Sequence, residues 1–490
     1  MNAEQGLRAE SNSRGQVLPI FIIFLTAMLL IASLLVDGAT ALLMRRQYQS
    51  VADAAALAAA NVIQSNPKGC SLTDPPGAPR AAVVDAARAS VQANLPGYDL
   101  GGVAVTCPAE WDNYGVKVDL HGVSPGFFSQ VVGITAFAID TSAVGYNGYT
   151  VGSKYSVVLL DPYNAGWGSQ YKGCPSVLFS GGPTVVFEGS LYVNSSCPAG
   201  SGGALGTNGN SATVSFAGST GAYVVGGFNP GPLTLDPYPV VNSRRKADPL
   251  AGLSAPSGLT IKSSRALVYG SGTNTVLEAG VYVGGIQLKS TARAFMKPGV
   301  YVMQGGGLDL GAQTSLYSVK ASFTLPATPS AWTDTAWATT DCPAGQCGVL
   351  IYNTAGSSGC GCSSMGAVTV GAGANLMLRH YKPGTSGNNV SVDEWDNLLL
   401  WQSASPLPTS NSRQPALALG GGGRVNITGT VYAPSAQVQM LGGSGGSGGE
   451  ALNLTIQFIS WDLSIQGNSS FHFVYSSNDF ARPTDYGLVQ

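Results

Sequence analysis

Twenty consecutive residues from Val17 to Val36 (VLPIFIIFLTAMLLIASLLV) carry no charge. At a rise of about 1.5 Å per residue, a helix of that length spans the roughly 30 Å hydrocarbon layer of a bilayer. The run therefore predicts a transmembrane helix. Its rival is a cleaved secretory signal, for which Ala39-Thr40-Ala41 offers a small-x-small site, but the apolar core of a signal normally covers only about 7 to 15 residues. From Asp37 to Ile63 there is no proline and one glycine, and alanine fills seven of the nine positions from Ala52 to Ala60, so the helix is expected to continue beyond the membrane. Side chains this small would let a second helix approach closely, or they form a plain alanine-rich connector.

Basic residues do not orient the helix, because Arg8 and Arg14 before it balance Arg45 and Arg46 after it. The cysteines break the tie. Cys70, Cys107, Cys174, Cys197, Cys342, Cys347, Cys360 and Cys362 are even in number and fall among Gly, Pro and Ser, as disulfides of an oxidising compartment do. With 66 glycines and only 10 % charged residues in the chain, the expected arrangement is an N-terminus inside and the bulk beyond about residue 40 outside.

Composition removes several classes of function. The 24 basic and 26 acidic residues leave no positive field for nucleic acid. A hydrophobic share of 44 % argues against disorder throughout. Three histidines, His121, His380 and His472, lie far apart in sequence, which weighs against acid/base or metal chemistry. No enzymatic activity and no cofactor or metal are expected.

Along the chain, residues 1–15 read as a cytoplasmic N-terminus and 16–64 as the membrane helix with its extension. Residues 65–147 read as a small α+β module. Within it Ala81 to Asn94 is an amphipathic helix with Val83, Val84, Ala87 and Val91 near one face. Strands are expected at Val103 to Thr106, Tyr114 to Leu120 and Phe137 to Val144, with a helical turn at Phe127 to Val132. Cys70 and Cys107 bracket the helix and are expected to pair.

Residues 148–490 show short apolar runs separated by Gly, Ser, Asn and Pro, with degenerate echoes. TVVFEGS at Thr184 returns as TVSFAGS at Thr213, GVYV at Gly280 returns at Gly299, and GGIQL at Gly284 returns as GGLDL at Gly306, spacings of 29, 19 and 22. One coil of a parallel β-helix occupies about that length. The expected fold is thus an N-terminal transmembrane α-helix and small α+β pilin-like module, followed by a mainly β, right-handed parallel β-helix-like domain, with Val281 and Val300 pointing inward. An antiparallel barrel or pair of sandwiches is the alternative.

Two stretches resemble known proteins. Arg14-Gly15-Gln16-Val17-Leu18-Pro19, the apolar run, Asp37-Gly38, Arg45-Arg46-Gln47 and Ala52-Asp53-Ala54-Ala55-Ala56-Leu57-Ala58 resemble the TadG-like N-terminal domain of bacterial Flp (tight adherence) pilus-assembly proteins. A prepilin would have Glu five residues after its cleavage Gly, where this chain has Ile20. The resemblance implies a single-pass protein of the bacterial cell membrane, with the lipid bilayer and pilus-assembly proteins as partners. Asp248-Pro249-Leu250-Ala251-Gly252-Leu253, the two GVYV strands, Gly421 to Pro434 and Leu463 to Asn468 resemble β-helical ectodomains found downstream of such segments.

Candidate chemistry is sparse. Asp393-Glu394-Trp395-Asp396, with Arg379-His380-Tyr381-Lys382 upstream, is the densest polar group, and a carboxylate pair beside an aromatic platform suits contact with a surface glycan or its cleavage. A charged loop lip beside a strand is the plainer reading. Cys342, Cys347, Cys360 and Cys362 have zinc-like proximity but poor knuckle spacing. Two disulfides are expected instead, each joining one of the first two cysteines to one of the last two. Gly442 to Gly449 reads as a flexible linker and Arg244-Arg245-Lys246 as a solvated loop. The leading expectation is a non-enzymatic envelope protein of pilus assembly or adhesion; the alternative is an anchored polysaccharide-binding or polysaccharide-cleaving β-helix enzyme.

Overall fold

The computed structural model describes all residues except 1–16, 64–68, 74–75, 112, 150–154, 163–173, 209–210, 326–336, 357–363, 405–416, 421–423, 443–451, 482–483 and 490. The Gly443 to Gly449 linker, Cys360 and Cys362 lie outside the described residues. The chain forms two compact units: Met1–Val151 with Pro483–Gln490, and Gly152–Arg482.

In the first unit, α1 (Val17–Val62) is a single helix of 46 residues. The helix α2 (Ala81–Asn94) buries Val83, Ala87 and Val91, spaced four apart so that they share one stripe. β1 (Ala104–Thr106), β2 (Gly115–Pro125) and β3 (Ala136–Tyr149) form an antiparallel sheet. Alternation places Val116, Val118 and Leu120 of β2 in one core with Ala52, Ala55, Ala56, Ala59 and Ala60 of α1 and the buried stripe of α2. The alanine tract thus packs on this chain's own sheet. Gly145 of β3 shows how close the contact is: a β-carbon there would lie 2.2 Å from the Ala56 carbonyl oxygen. The end of α1 is tied down by Arg80, whose guanidinium donates to Val62 O at 2.9 Å, and by Asn147, whose amide donates to Ala60 O at 2.9 Å. Cys70 and Cys107 are bonded. The sheet's fourth strand, Thr484–Val489, pairs antiparallel with β3. The last residues therefore belong with the first unit, which corrects the expected boundary at 147/148 with everything after it in one β domain.

The second unit is mainly β, and among the described residues every strand pairing in it is parallel. This removes the antiparallel alternative. Through the central part of the unit each strand bonds to the strand three places further along the chain, which builds three ladders. One runs Ile261–Ser263, Gly280–Val283, Gly299–Gln304, Val349–Thr354, Leu398–Gln402, Val425–Leu441 and Leu452–Gln466. It then continues into Tyr155–Leu159, Ser190–Val193 and Ala222–Val224. Chain order and stacking order therefore differ: the first strands of the unit dock on its last long strand.

Two of the echoes are real rung equivalences. Thr184 faces Thr213 and Ile286 faces Leu308, at the spacings of 29 and 22. The GVYV echo is not, because Gly280 faces Tyr301 and Val281 faces Val302, a step of 21 rather than 19. The expected inward orientation of Val281 and Val300 is also corrected. Tyr282 and Tyr301 point into the main core and stack at 6.0 Å. Val281 and Val300 instead join an outer cluster with Leu250, Leu253, Leu259, Tyr352 and Trp401. That cluster exists because the segment from Val240 to Leu259 crosses the ladder: Lys246 lies over the Tyr155 and Tyr192 rings at 4.7 and 4.9 Å, Asp248 accepts from the Tyr432 hydroxyl at 2.7 Å, and Ser254 O accepts from Trp395. Both faces of the ladder are covered, so both carry apolar side chains. At one corner the rungs stack backbone on backbone: Gly306 and Gly307 have φ of 72° and 70°, and a β-carbon on either would meet the carbonyl of Gly284 or Ala367 at 2.0 Å.

Candidate functional site

Two places answer to the sequence expectations. The first is the start of α1. From Leu18 to Val36 every side chain except the half-buried Ser33 is exposed, and the helix is long and apolar enough to cross a membrane. The hydroxyls within it are returned to the helix backbone: Thr26 donates to Ile22 O at 2.9 Å and Ser33 to Leu30 O at 2.7 Å, which suits a surround without water. Burial begins abruptly at Asp37, which is 1 % exposed. One carboxylate oxygen of Asp37 accepts from the backbone N–H of Phe128 at 2.8 Å and of Ser129 at 2.6 Å. Sequence reasoning did not find this latch. Its one signal is that the first charge after the apolar run sits within a helix.

The second place is the acidic lip. Asp393–Trp395 forms a 3-10 turn before the strand Leu398–Gln402. Asp393 and Glu394 are exposed, but Trp395 is buried, with its indole N–H donated to Ser254 O at 2.9 Å. A sugar-stacking platform needs an open ring face, and Trp395 packs in the outer cluster instead. Asp396 is half-buried with an oxygen 3.3 Å from Lys382 Nζ. Burial raises its pKa, and the Lys382 charge opposes that shift.

Behind the lip lies a buried polar corner drawn from three distant segments. His380 Nδ1 is 3.2 Å from Thr428 Oγ1 and its Nε2 is 3.7 Å from Asp479 Oδ1. Burial pulls His380 down to about 4; Lys382 and Arg379 push the same way, and Asp479 opposes them. Gly429 makes room for the ring, since a β-carbon there would lie 2.4 Å from the β-carbon of His380. Thr428 and Asp479 are 48 and 99 residues from His380 in the sequence (428 − 380 and 479 − 380), so no local motif announces them. His380 and Thr428 are both buried, and the corner acts as a fastening between segments.

Of the cysteines, Cys174 and Cys197 are bonded, as expected. Cys342 pairs with Cys347, correcting the expected cross-links to Cys360 and Cys362. A tight turn, with Gln346 N donating to Pro343 O at 3.1 Å, brings the two α-carbons to 5.3 Å. Among the described residues no cluster of three or more His, Cys, Asp or Glu is placed to hold a metal ion.

The family model described as putative Flp pilus-assembly TadE/G-like matches residues 15–62, which is α1 and the two residues before it. Residues 15–62 are therefore a TadE/G-like Flp pilus-assembly segment, in agreement with the motifs read from Arg14 to Ala58. No curated protein and no solved structure matches the chain.

Proposed function

We propose that this chain is a non-enzymatic envelope protein of a Tad/Flp-type pilus system, held by one membrane pass of α1 with the residues beyond it outside the cytoplasm, and acting in pilus assembly or adhesion. The observation that carries the reading is the exposed apolar face of Leu18 to Val36 inside the very segment that matches the pilus-assembly family. The three bonded cysteine pairs support an oxidising compartment. We read the second unit as a right-handed parallel β-helix, a reading supported by its three parallel ladders, and as a rigid ectodomain that presents surface to pilus components or to a glycan. Against a polysaccharide-cleaving role, Trp395 and Asp396 are engaged in packing and in a contact with Lys382.

Deleting the chain from its native host and complementing it tests this. Pili or surface attachment should be lost on deletion and restored equally by the wild type and by the Asp393→Asn/Glu394→Gln variant. Unchanged piliation and attachment in the deletion strain would overturn the reading. So would purified protein that cleaves a polysaccharide and loses that activity in the variant.

A further inference from the structure

The hairpin that joins β2 to β3 exposes an unusual concentration of apolar surface. Phe127 is 70 % exposed, Phe128 51 % and Val131 77 %, with Val123 and Ile134 exposed beside them. From Gly122 to Ile139 the sequence contains no charged residue. An uncharged, contiguous apolar tip of this kind marks a contact surface, whereas apolar side chains exposed singly need no such explanation.

Two observations identify what covers it. The tip is fastened to α1 at Asp37, one residue beyond the exposed apolar run, by the hydrogen bonds from Phe128 N and Ser129 N. Its depth is thus fixed at the level where the helix leaves the hydrocarbon. Four of the tip's backbone N–H groups are returned to the loop itself: Gly126 N donates to Thr135 O, Ile134 N to Ser129 O, Val131 N to Phe128 O and Gly133 N to Gln130 O, all at 3.0 to 3.1 Å. Irregular backbone near the apolar layer requires such pairing. The Ser129 hydroxyl and the Gln130 amide are likewise turned back onto the loop, to Ile134 O and Gly126 O.

We propose that the β2–β3 hairpin tip, Gly126 to Thr135, is a second membrane contact that places Phe127, Phe128 and Val131 in the interfacial layer of the leaflet from which α1 emerges. The proposal rests on the reading of α1 as a membrane anchor. Contact at two points would hold the module at a fixed height and tilt above the bilayer, as interfacial apolar groups do for peripheral proteins.

The full-length chain reconstituted in phosphatidylcholine vesicles that carry a photoactivatable acyl chain provides the test, with lipid adducts mapped by mass spectrometry. Adducts are expected in Val17–Val36 and in Gly126–Thr135, and the Phe127→Ser/Val131→Ser variant should lose the second set while keeping the first. Adducts confined to Val17–Val36 would overturn the proposal and leave the anchor intact; an unlabelled tip that cross-links to another copy of the chain would also overturn it. Absence of adducts in both regions would remove the anchor reading and the proposal with it.

Discussion

Burial keeps the His380 imidazole neutral down to about pH 4, whereas in an unfolded chain it takes up a proton near pH 6.5. Between those values the unfolded state binds the proton and the folded state does not. The stability is therefore fully present above about pH 6.5 and falls as the pH drops towards 4, by about 3 kcal/mol for a shift of this size. Asp396 and Asp248 are raised by burial and act in the opposite sense, so the informative quantity is a difference. The melting temperature should drop more between pH 7.5 and 4.5 in the wild type than in His380→Asn. At Gly145 the test is steric. Gly145→Ala places its β-carbon against the Ala56 carbonyl, an overpacking that costs about 1 to 3 kcal/mol. Gly38→Ala, with nothing within 4 Å of its new methyl, should leave the module as stable or slightly more so. Thermal unfolding of the full chain in detergent separates the two.

Individual elements differ in how much of them the sequence discloses. The bounds of α2 could be read directly, because its apolar residues recur at helical spacing between Pro79 and Pro96 and few competing signals intrude. The buried face of β2, with Val116, Val118 and Leu120, also followed from its alternation. The GVYV strands misled for a physical reason. Alternation shows that two faces exist but not which is central when a crossing segment covers the outer one, and here the core is wide enough to take Tyr282 and Tyr301. Cysteine connectivity was legible where a whole element separates the pair, as for Cys70 and Cys107. It was not legible at Cys342, where a five-residue turn decides it. Non-reducing peptide mapping should recover a Cys342–Cys347 link, and a bond from either residue to Cys360 or Cys362 would contradict the turn described above.

At the scale of the whole molecule, the second unit is an insertion between two paired strands of the first. Tyr149 of β3 faces Thr484 of the final strand, so the chain leaves the sheet of the first unit and returns to it at neighbouring positions. Nothing local in the last residues predicts this, because the partner lies more than 300 residues away. Removing residues 484–490 should expose the β3 edge and make the first unit more sensitive to protease, while the parallel unit, which shares no strand with it, keeps its melting temperature. The claim on which the rest depends is that α1 anchors this chain and leaves its bulk outside. External protease applied to intact spheroplasts of the native host, followed by alkaline extraction of the membranes, tests it directly. The account predicts that epitopes beyond Val62 are digested while a fragment containing Val17–Val36 stays in the alkali-washed membrane. A bulk protected from external protease, or a full-length chain released by alkali, would contradict it.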